Sequence, residues 1–145
     1  MDIAHRIDDA VSAGAKIIVG GTRKGNYLEP TILDMVQSDM EIVATEAFGP
    51  VISLIRVHAV GDMIQLINQS IYGLQASVFT SDEGTAIRIA QQLEVGSVWI
   101  NGKPQRGPDH FPFLGIKGSG VGVQGIRYTL ESMTRLRPII MNKPE

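Results

Sequence analysis

The sequence predicts an α/β fold in which helices flank a largely parallel sheet. Segments with the pattern of strands alternate with segments with the pattern of helices along most of the 145 residues, an order that is typical of α/β layering. Residues 51–57 are apolar on both faces, as expected of a central strand in a buried parallel sheet. The length suffices for one domain with its own core.

The N-terminal region predicts one helix followed by two strands. Apolar residues recur at helical spacing at Ile3, Ile7, Ala10 and Val11. The helix is expected to end near Gly14, a residue type that is common just past a helix end. Residues 16–19 predict a strand that the pair Gly20-Gly21 closes. Residues 27–33 predict an edge or irregular strand, because Pro30 cannot donate to a ladder.

The middle of the chain continues this alternation. After the strand of residues 51–57, helical spacing recurs at Val60, Met63, Ile64 and Ile67. Residues 76–80 predict a strand, and Ser81 or Asp82 is suited to cap the helix that follows. The apolar face of that helix is formed by Ala86, Ile87, Ala90 and Leu93. Residues 97–101 predict a further strand.

The C-terminal third has a different character. Residues 102–118 are rich in proline and glycine and predict a long ordered or functional loop. Residues 119–133 predict a helix despite several glycines. Residues 134–141 predict an edge strand, because they include Pro138, and such an edge can pair with another chain.

Composition and charge exclude several classes of protein. The net charge of −2, with acidic and basic residues mixed along the chain, argues against a nucleic-acid partner. The absence of cysteine excludes disulfides, thiolate metal sites and a cysteine nucleophile within the chain. His5, His58 and His110 lie too far apart for metal-ligand spacing. No apolar run approaches the ~20 residues of a membrane helix, and no signal peptide is recognisable. We expect a soluble cytoplasmic protein without a membrane partner.

A glycine motif in the C-terminal third invites a nucleotide-binding interpretation. Residues 120–125 match the G-x-G-x-x-G pattern of dinucleotide-binding folds. That pattern requires a preceding strand, but a proline- and glycine-rich loop precedes it here. It also requires an acidic residue about 20 positions later. The only acidic residue at that distance is the terminal Glu145, which no second strand could position. We interpret the glycines as allowing close packing where a helix begins.

Two segments carry candidate binding residues. Glu46 precedes the predicted central strand beside a Phe-Gly-Pro turn. It is either a surface glutamate or a carboxylate that accepts hydrogen bonds from the hydroxyls of a ribose, with Phe48 confining a flat ring. Arg106 lies in the long loop, and it is either a solvated arginine or a planar fork for phosphate or carboxylate.

Six blocks, in order and across nearly the whole chain, resemble the aldehyde dehydrogenase superfamily. They are the E-P-T segment at residues 28–33, the E-x-F-G-P motif at residues 46–51, residues 72–74, residues 78–80, residues 96–101 and the closing P-F-G-G-x-K-x-S-G block at residues 111–120. In the last block, Leu114 stands where the first of the paired glycines usually lies. Residues 105–113 and 122–128 are most similar to the branch of non-phosphorylating glyceraldehyde-3-phosphate dehydrogenases, which is usually NADP-dependent. The alternatives are related enzymes that act on lactaldehyde or succinate semialdehyde.

The resemblance implies a role for each candidate residue. Glu46 matches the glutamate that holds the nicotinamide ribose of NADP or NAD, and Phe48 matches the aromatic residue beside it. Arg106 falls at a substrate-pocket position, where this branch grips the substrate phosphate. Arg127 is a second substrate-binding candidate, although an arginine on a helix surface would look the same in the sequence.

The resemblance also implies which parts of the enzyme lie elsewhere. In the family, a cysteine thiolate attacks a small aldehyde substrate, hydride passes to the cofactor and a glutamate activates water to release the acid. The thiolate, this base and the Rossmann half precede the stretch that the chain resembles. We therefore expect residues 1–133 to form part of a three-layer catalytic domain, and residues 134–145 to form an oligomerisation strand and tail. The isolated chain is expected to be inactive as an enzyme. The alternative is a non-catalytic assembly module that pairs with a complementary N-terminal chain or with full-length subunits of a homo-oligomer.

Overall fold

The computed structural model describes residues 2–143 and divides into two compact units. The first unit ends at Ser70 and the second begins at Ile71. Each unit combines helices with short strands, so the predicted α/β class is confirmed. Within residues 2–143, no helix has both the length and the apolar character needed to span a bilayer.

The first unit begins with the predicted amphipathic helix. Its elements are α1 (Ile3–Ser12), β1 (Lys16–Val19), β2 (Arg23–Lys24), β3 (Tyr27–Leu28), β4 (Thr31–Asp34), α2 (Glu41–Ala44), β5 (Val51–Ser53) and α3 (Val60–Asn68). The carboxylate of Asp2 caps α1 by accepting from the backbone N–H of Ala4 at 3.3 Å. The helix ends just before Gly14, as predicted.

The sheet of the first unit has the order β1-β4-β5. The strand that was predicted over residues 27–33 to lie at an edge or to be irregular is irregular, since it is divided into β3 and β4, and β4 is central. Pro30 precedes β4, so the ladder begins after it, where the Thr31 N–H donates to the Pro50 carbonyl at 2.8 Å. The strand that was expected to be central is the short β5 at the end of this order. Within residues 2–143 only β4 pairs with β5, and Ile52 on β5 is 59% exposed.

One hydrophobic core holds the first unit together. Its buried members come from α1, β4, α2 and their connections, and they are Ile7, Ala10, Ala15, Leu33, Val36 and Ile42. Leu33, on the central strand, is fully buried. Burial of a side chain of this size stabilises a fold by roughly 1.5–3 kcal/mol, so this cluster fixes α1 and α2 against the sheet.

The second unit is built around a strand-helix-strand crossover. Its elements are β6 (Tyr72–Gly73), β7 (Gln75–Val78), α4 (Glu83–Ala90), β8 (Ser97–Ile100), β9 (Phe113–Leu114), β10 (Ile116–Lys117), β11 (Val123–Gln124) and α5 (Ile126–Ser132). Strands β7 and β8 are parallel and α4 connects them. The predicted cap is Asp82, whose carboxylate accepts from the Thr85 N–H at 3.1 Å.

Strand pairing in the described part of the chain is mixed. The pairs β4–β5 and β7–β8 are parallel, whereas β1–β4, β2–β3, β6–β10 and β9–β11 are antiparallel. A parallel pair requires a long crossover, whereas antiparallel strands can be joined by a short turn, as β2 and β3 are.

The helix that was predicted for residues 119–133 forms only over α5. The segment before it has backbone conformations that a helix excludes, since φ is +96° at Gly122 and +134° at Gly125, against about −63° in an α-helix. The glycines therefore produce a looped approach to α5, and the longer helix was a wrong prediction.

Residues 134–143 form no strand in this chain. Their apolar side chains are exposed, as shown by Leu136 at 102%, Ile139 at 84% and Met141 at 89%. A strand needs a hydrogen-bonded neighbour, and the neighbour that was predicted here belongs to another chain. The oligomerisation strand and the domain boundary after residue 133 therefore stay predictions. Residues 144 and 145, which belong to the predicted tail, lie outside the described residues.

Candidate functional site

Glu46 and Phe48 lie on a tight turn between α2 and β5. The backbone N–H of Gly49 donates to the Ala47 carbonyl at 3.1 Å, and that of Val51 donates to the Gly49 carbonyl at 2.9 Å. This turn presents the Phe48 ring to solvent, with 86% of the residue exposed. A large exposed aromatic residue beside a carboxylate is suited to contact a flat ligand that carries hydroxyl groups.

Arg6 of α1 supports this turn through a hydrogen bond to its backbone. Its Nη1 donates to the Glu46 carbonyl at 3.2 Å, and its side chain is only 13% exposed. Its Nε forms an ion pair with Oε1 of Glu41 at a distance of 3.4 Å. Among residues 2–143, this Nε has no hydrogen-bond partner. Ile3, Arg6, Glu46 and Phe48 together line a cavity of about 100 Å³. The two residues predicted to bind the cofactor are therefore neighbours in one small cavity.

Arg6 was not predicted from the sequence, although its position carried a signal. Arg6 lies three residues after Ile3 and four before Ala10, and residues at these spacings share one face of a helix. A charged residue on the apolar face of α1 needs a polar partner in the interior. Its partners come from α2 and the turn after it, which local sequence does not identify.

Arg106 is held by a loop that is tied to the parallel strands of the second unit. The Gln75 amide on β7 donates to the Gln105 carbonyl at 2.8 Å and to the Ser97 hydroxyl on β8 at 3.1 Å. The next residue, Arg106, donates from Nη2 to Oδ1 of Asp109 at 3.1 Å. The loop is therefore anchored at the residue before Arg106, and Asp109 orients the guanidinium.

A candidate site in the second unit surrounds this ion pair. A cavity of about 540 Å³ is lined by Arg106, Asp109, Gln124, Gly125, Ile126, Thr129 and Leu130. The loop packs on the start of α5, where the Ile126 N–H donates to the Asp109 carbonyl at 2.9 Å. Gly125 is required at this contact, because a Cβ atom there would lie 2.9 Å from the carbonyl oxygen of Phe111. A cation, a carboxylate, an amide and a hydroxyl thus converge on one cavity.

Arg127 occupies a different position from Arg106. It lies on the exposed side of α5 and donates from Nε to Oε1 of Glu131 at 2.8 Å, one helical turn away. This hydrogen bond raises the pKa of Arg127. Arg127 does not line the cavity, whereas Asp109, Gln124 and Thr129 do. Those three residues were missed because strand pairing and loop packing bring them together.

The sequence profile of the Aldehyde dehydrogenase family matches residues 2–139, nearly the full length of the chain. This chain belongs to the aldehyde dehydrogenase family. The family resemblance inferred from six sequence blocks is thereby confirmed.

Three relatives of this aldehyde dehydrogenase chain have names that specify a chemistry. The NADP-dependent glyceraldehyde-3-phosphate dehydrogenase of Streptococcus equinus is 49% identical over 136 residues, which are 94% of this chain and 29% of the relative. The 3-sulfolactaldehyde dehydrogenase of Priestia aryabhattai is 40% identical over 136 residues, or 94% and 28% of the two chains. The crystal structure of NADP-dependent glyceraldehyde-3-phosphate dehydrogenase from Bacillus halodurans C-125, complexed with NADP, superposes with a TM-score of 0.87. It is 57% identical, over 93% of this chain and 28% of that one.

The chain thus spans less than a third of the length of the relatives it matches. The roles assigned to Glu46, Phe48, Arg106 and Arg127 stay predictions. Among residues 2–143, the structure has no group of three or more histidine, aspartate or glutamate side chains that could hold a metal ion.

Proposed function

We propose that this chain forms the substrate-facing and nicotinamide-facing part of an NADP-dependent aldehyde dehydrogenase that oxidises glyceraldehyde 3-phosphate to 3-phosphoglycerate. The observation that carries the proposal is the cavity of about 540 Å³ in which Arg106 lies with Asp109, Gln124 and Thr129. A guanidinium offers five donors in a planar fork that fits a phosphate. The names of the relatives from Streptococcus equinus and Bacillus halodurans specify that substrate and NADP.

The residues of the first unit fit the nicotinamide end of the cofactor. Glu46 and Phe48 line one cavity, and the Phe48 ring is exposed. Nicotinamide is a flat ring attached to a ribose diol, so it requires an accessible aromatic contact beside a carboxylate. In this proposal the Glu46 carboxylate accepts from the ribose hydroxyls, and Phe48 limits the movement of the nicotinamide. When bound, NADP supplies the hydride acceptor. Arg6 keeps the turn in place through the Glu46 carbonyl.

The residues of the second unit orient the substrate. Arg106 holds the phosphate at the end of the molecule remote from the aldehyde, so that the aldehyde carbon is presented at a fixed distance from the phosphate site. The chain contains no cysteine. We therefore place the reactive thiolate in a polypeptide segment outside these 145 residues, and no turnover is expected from the chain alone.

A chimeric enzyme tests this proposal. Residues 2–139 of this chain would replace the matching segment of the Streptococcus equinus enzyme, and reduction of NADP would be followed with glyceraldehyde 3-phosphate. We expect the chimera to oxidise that substrate, and Arg88→Gln, on α4 and outside the cavity, to leave its KM unchanged. A folded chimera that prefers an aldehyde without an anionic group would contradict the proposal.

Exposed apolar residues favour assembly as a second function. Leu136, Ile139, Ile140 and Met141 are each more than four-fifths exposed, and a single chain rarely leaves such a run uncovered. We propose that residues 134–141 pair with a complementary chain or with full-length subunits of a homo-oligomer. Sedimentation tests this, since Ile139→Lys is expected to dissociate the assembly and Lys143→Glu is expected to preserve it. A monomeric unmodified chain that does not bind a complementary chain would exclude this assembly function.

The cytoplasmic location of the protein stays a prediction.

A further inference from the structure

Two side chains on one face of β7 bind the first part of the loop that carries Arg106. Gln75 and Ser77 lie two residues apart on β7, and side chains at that spacing lie on the same face of a strand. The Ser77 hydroxyl donates to the Gly102 carbonyl at 2.7 Å. The Gln75 amide donates to the Gln105 carbonyl at 2.8 Å. The loop therefore runs back along this face of β7, in the direction opposite to the strand.

The Gln75 amide is itself held by the neighbouring strand. Its nitrogen carries two hydrogens, and the second one is donated to the Ser97 hydroxyl at 3.1 Å. Ser97 is the residue of β8 that is paired with Gln75 in the parallel register. A backbone carbonyl only accepts hydrogen bonds, so the amide nitrogen, and not the amide oxygen, must face Gln105. The amide therefore has one orientation in its contact with the loop.

The contact at Gln105 acts on Arg106 through the peptide bond between them. The Gln105 carbonyl and the Arg106 nitrogen belong to one planar peptide unit. A donor that fixes the direction of this carbonyl also fixes the plane from which the Arg106 side chain starts. The contact at Gly102 lies four residues before Arg106, and the φ and ψ angles between them can still vary.

The loop around Arg106 has few other contacts that hold it. Residues 103–106 are exposed, and Gly107 is only partly buried. Within residues 2–143, the hydrogen bonds that join residues 102–107 to the strands come from Gln75 and Ser77. Segments with few buried apolar contacts open at low free energy. Loss of the Gln75 donor should therefore lower the fraction of molecules in which Arg106 faces the cavity.

We propose that Gln75 is a positioning residue that holds Arg106 in the geometry needed to bind the anionic end of the substrate. Gln75 does not line the cavity and acts through the peptide bond before Arg106. The inference rests on the proposed function, because it presumes that Arg106 contacts the phosphate. When a ligand binds only the molecules in which the arginine is in place, the apparent Kd rises in inverse proportion to their fraction.

Titration of the 145-residue chain with glycerol 3-phosphate tests this role. The probe is unreactive and is a dianion at pH 8, because the second pKa of a phosphomonoester is about 6. Backbone amide spectra would report both binding and folding. Gln75→Met removes the donor but keeps an unbranched side chain, and we expect it to raise the Kd at least about threefold, within the range that one hydrogen bond contributes. Gln75→Leu, which also lacks the donor, provides the same comparison if Gln75→Met does not fold.

Two further variants serve as controls. Ser77→Ala is the matched one, because it removes the other hydrogen bond between β7 and the loop. We expect it to change the Kd by less than about twofold, since Gly102 is not part of the peptide unit that precedes Arg106. Arg106→Gln is expected to lose the ligand, because the guanidinium that binds the phosphate is absent.

The motion of the Arg106 side chain distinguishes positioning from general stabilisation. Nitrogen relaxation at Nε of Arg106 reports motion on the picosecond to nanosecond timescale and needs no ligand. We expect a larger amplitude of motion in Gln75→Met than in the unmodified chain or in Ser77→Ala. A variant that acted only by lowering the stability of the fold would leave this amplitude unchanged in the folded protein.

Each contrary outcome overturns a defined claim. A change in Kd below about twofold in a folded Gln75→Met chain, an equal change in Ser77→Ala, or unchanged motion of Arg106 overturns the role of Gln75 and leaves Arg106 as the anion contact. Retention of the ligand by Arg106→Gln overturns the anion site on which the proposed function depends. Failure of the unmodified chain to bind the probe overturns the inference that Gln75 holds a binding-competent Arg106, while the chimeric enzyme still reports separately on the proposed function.

Discussion

The two units of this chain differ in the interactions that stabilise each of them internally. The first unit has one continuous core of six buried residues contributed by α1, β4, α2 and their connections. In the second unit, the buried apolar residues lie on the strand-helix-strand segment and are Val78, Ala86, Ile89 and Leu93. Helix α5, which forms one wall of the Arg106 cavity, has no buried residue. The cavity wall is therefore maintained by backbone hydrogen bonds and close contacts at glycine, and regions with few buried apolar contacts open at low free energy.

The largest expected effect is a cavity in the core of the first unit. Leu33→Ala removes a fully buried side chain from the central strand, and we expect it to lower the free energy of unfolding by about 2–5 kcal/mol. Leu130→Ala on α5, where the residue is 59% exposed, should change it by less than about 0.5 kcal/mol. Urea denaturation measures both values. Equal losses in the two variants would show that the units do not differ in this way.

A smaller effect is expected where α5 begins. Gly125→Ala adds a Cβ atom 2.9 Å from the Phe111 carbonyl oxygen and also strains a backbone with φ of +134°, so we expect a loss of about 1–3 kcal/mol. Gly122→Ala is the matched control, because φ there is +96° but nothing lies within 4 Å of the added atom. Hydrogen exchange of the amides in α5 should accelerate more in Gly125→Ala. Equal acceleration would mean that backbone strain alone, and not the close contact, governs this helix.

The smallest expected effect concerns an ion pair in the first unit. Hydrogen bonds from Arg56, at 3.0 and 2.6 Å, and from the Met35 N–H lower the pKa of Asp34 below 3.8. Because the folded-state pKa is the lower one, the stabilisation is fully present above pH 3.8 and is lost as the pH falls through the folded-state value.

Denaturation at several pH values between 5 and 3 measures this contribution. The unmodified chain should lose more stability over that range than Asp34→Asn, which lacks the titrating carboxylate. Asp39→Asn, at an exposed position, serves as the control and should follow the unmodified chain. Parallel curves for all three proteins would show that Arg56 does not stabilise the ionised Asp34.

Local patterns predicted the elements whose causes are local. The amphipathic spacing of α1 and the cap at Asp82 depend on neighbouring residues, and the structure confirms both. The wrong predictions depended on distant partners or on backbone geometry. Strand β4 became central because β1 and β5 flank it, and the glycines before α5 shortened the predicted helix.

The candidate sites follow the same division. Glu46, Phe48 and Arg106 were identified from short motifs and their family resemblance. Arg6 and Thr129 were missed because each reaches its site through contacts between elements distant in sequence. Asp109 was missed although it lies three residues from Arg106, because its place in the cavity depends on the packing of the loop against α5. Residues 102–118 were expected to form one long loop, but β9 and β10 lie within them. The packing of the remaining loop against α5 was not predictable from composition.

The chimeric enzyme provides the most direct test, because it can separate the roles of the two units in one assay. We expect Arg106→Gln to raise the KM for glyceraldehyde 3-phosphate roughly 10–100-fold, because a charge-assisted hydrogen bond to the phosphate is lost. The same variant is expected to change the KM for NADP by less than about twofold. Glu46→Gln is expected to raise the KM for NADP and to leave that for the aldehyde nearly unchanged. If both variants shift the two KM values together, or if neither shifts any, these residues do not contact substrate and cofactor as proposed.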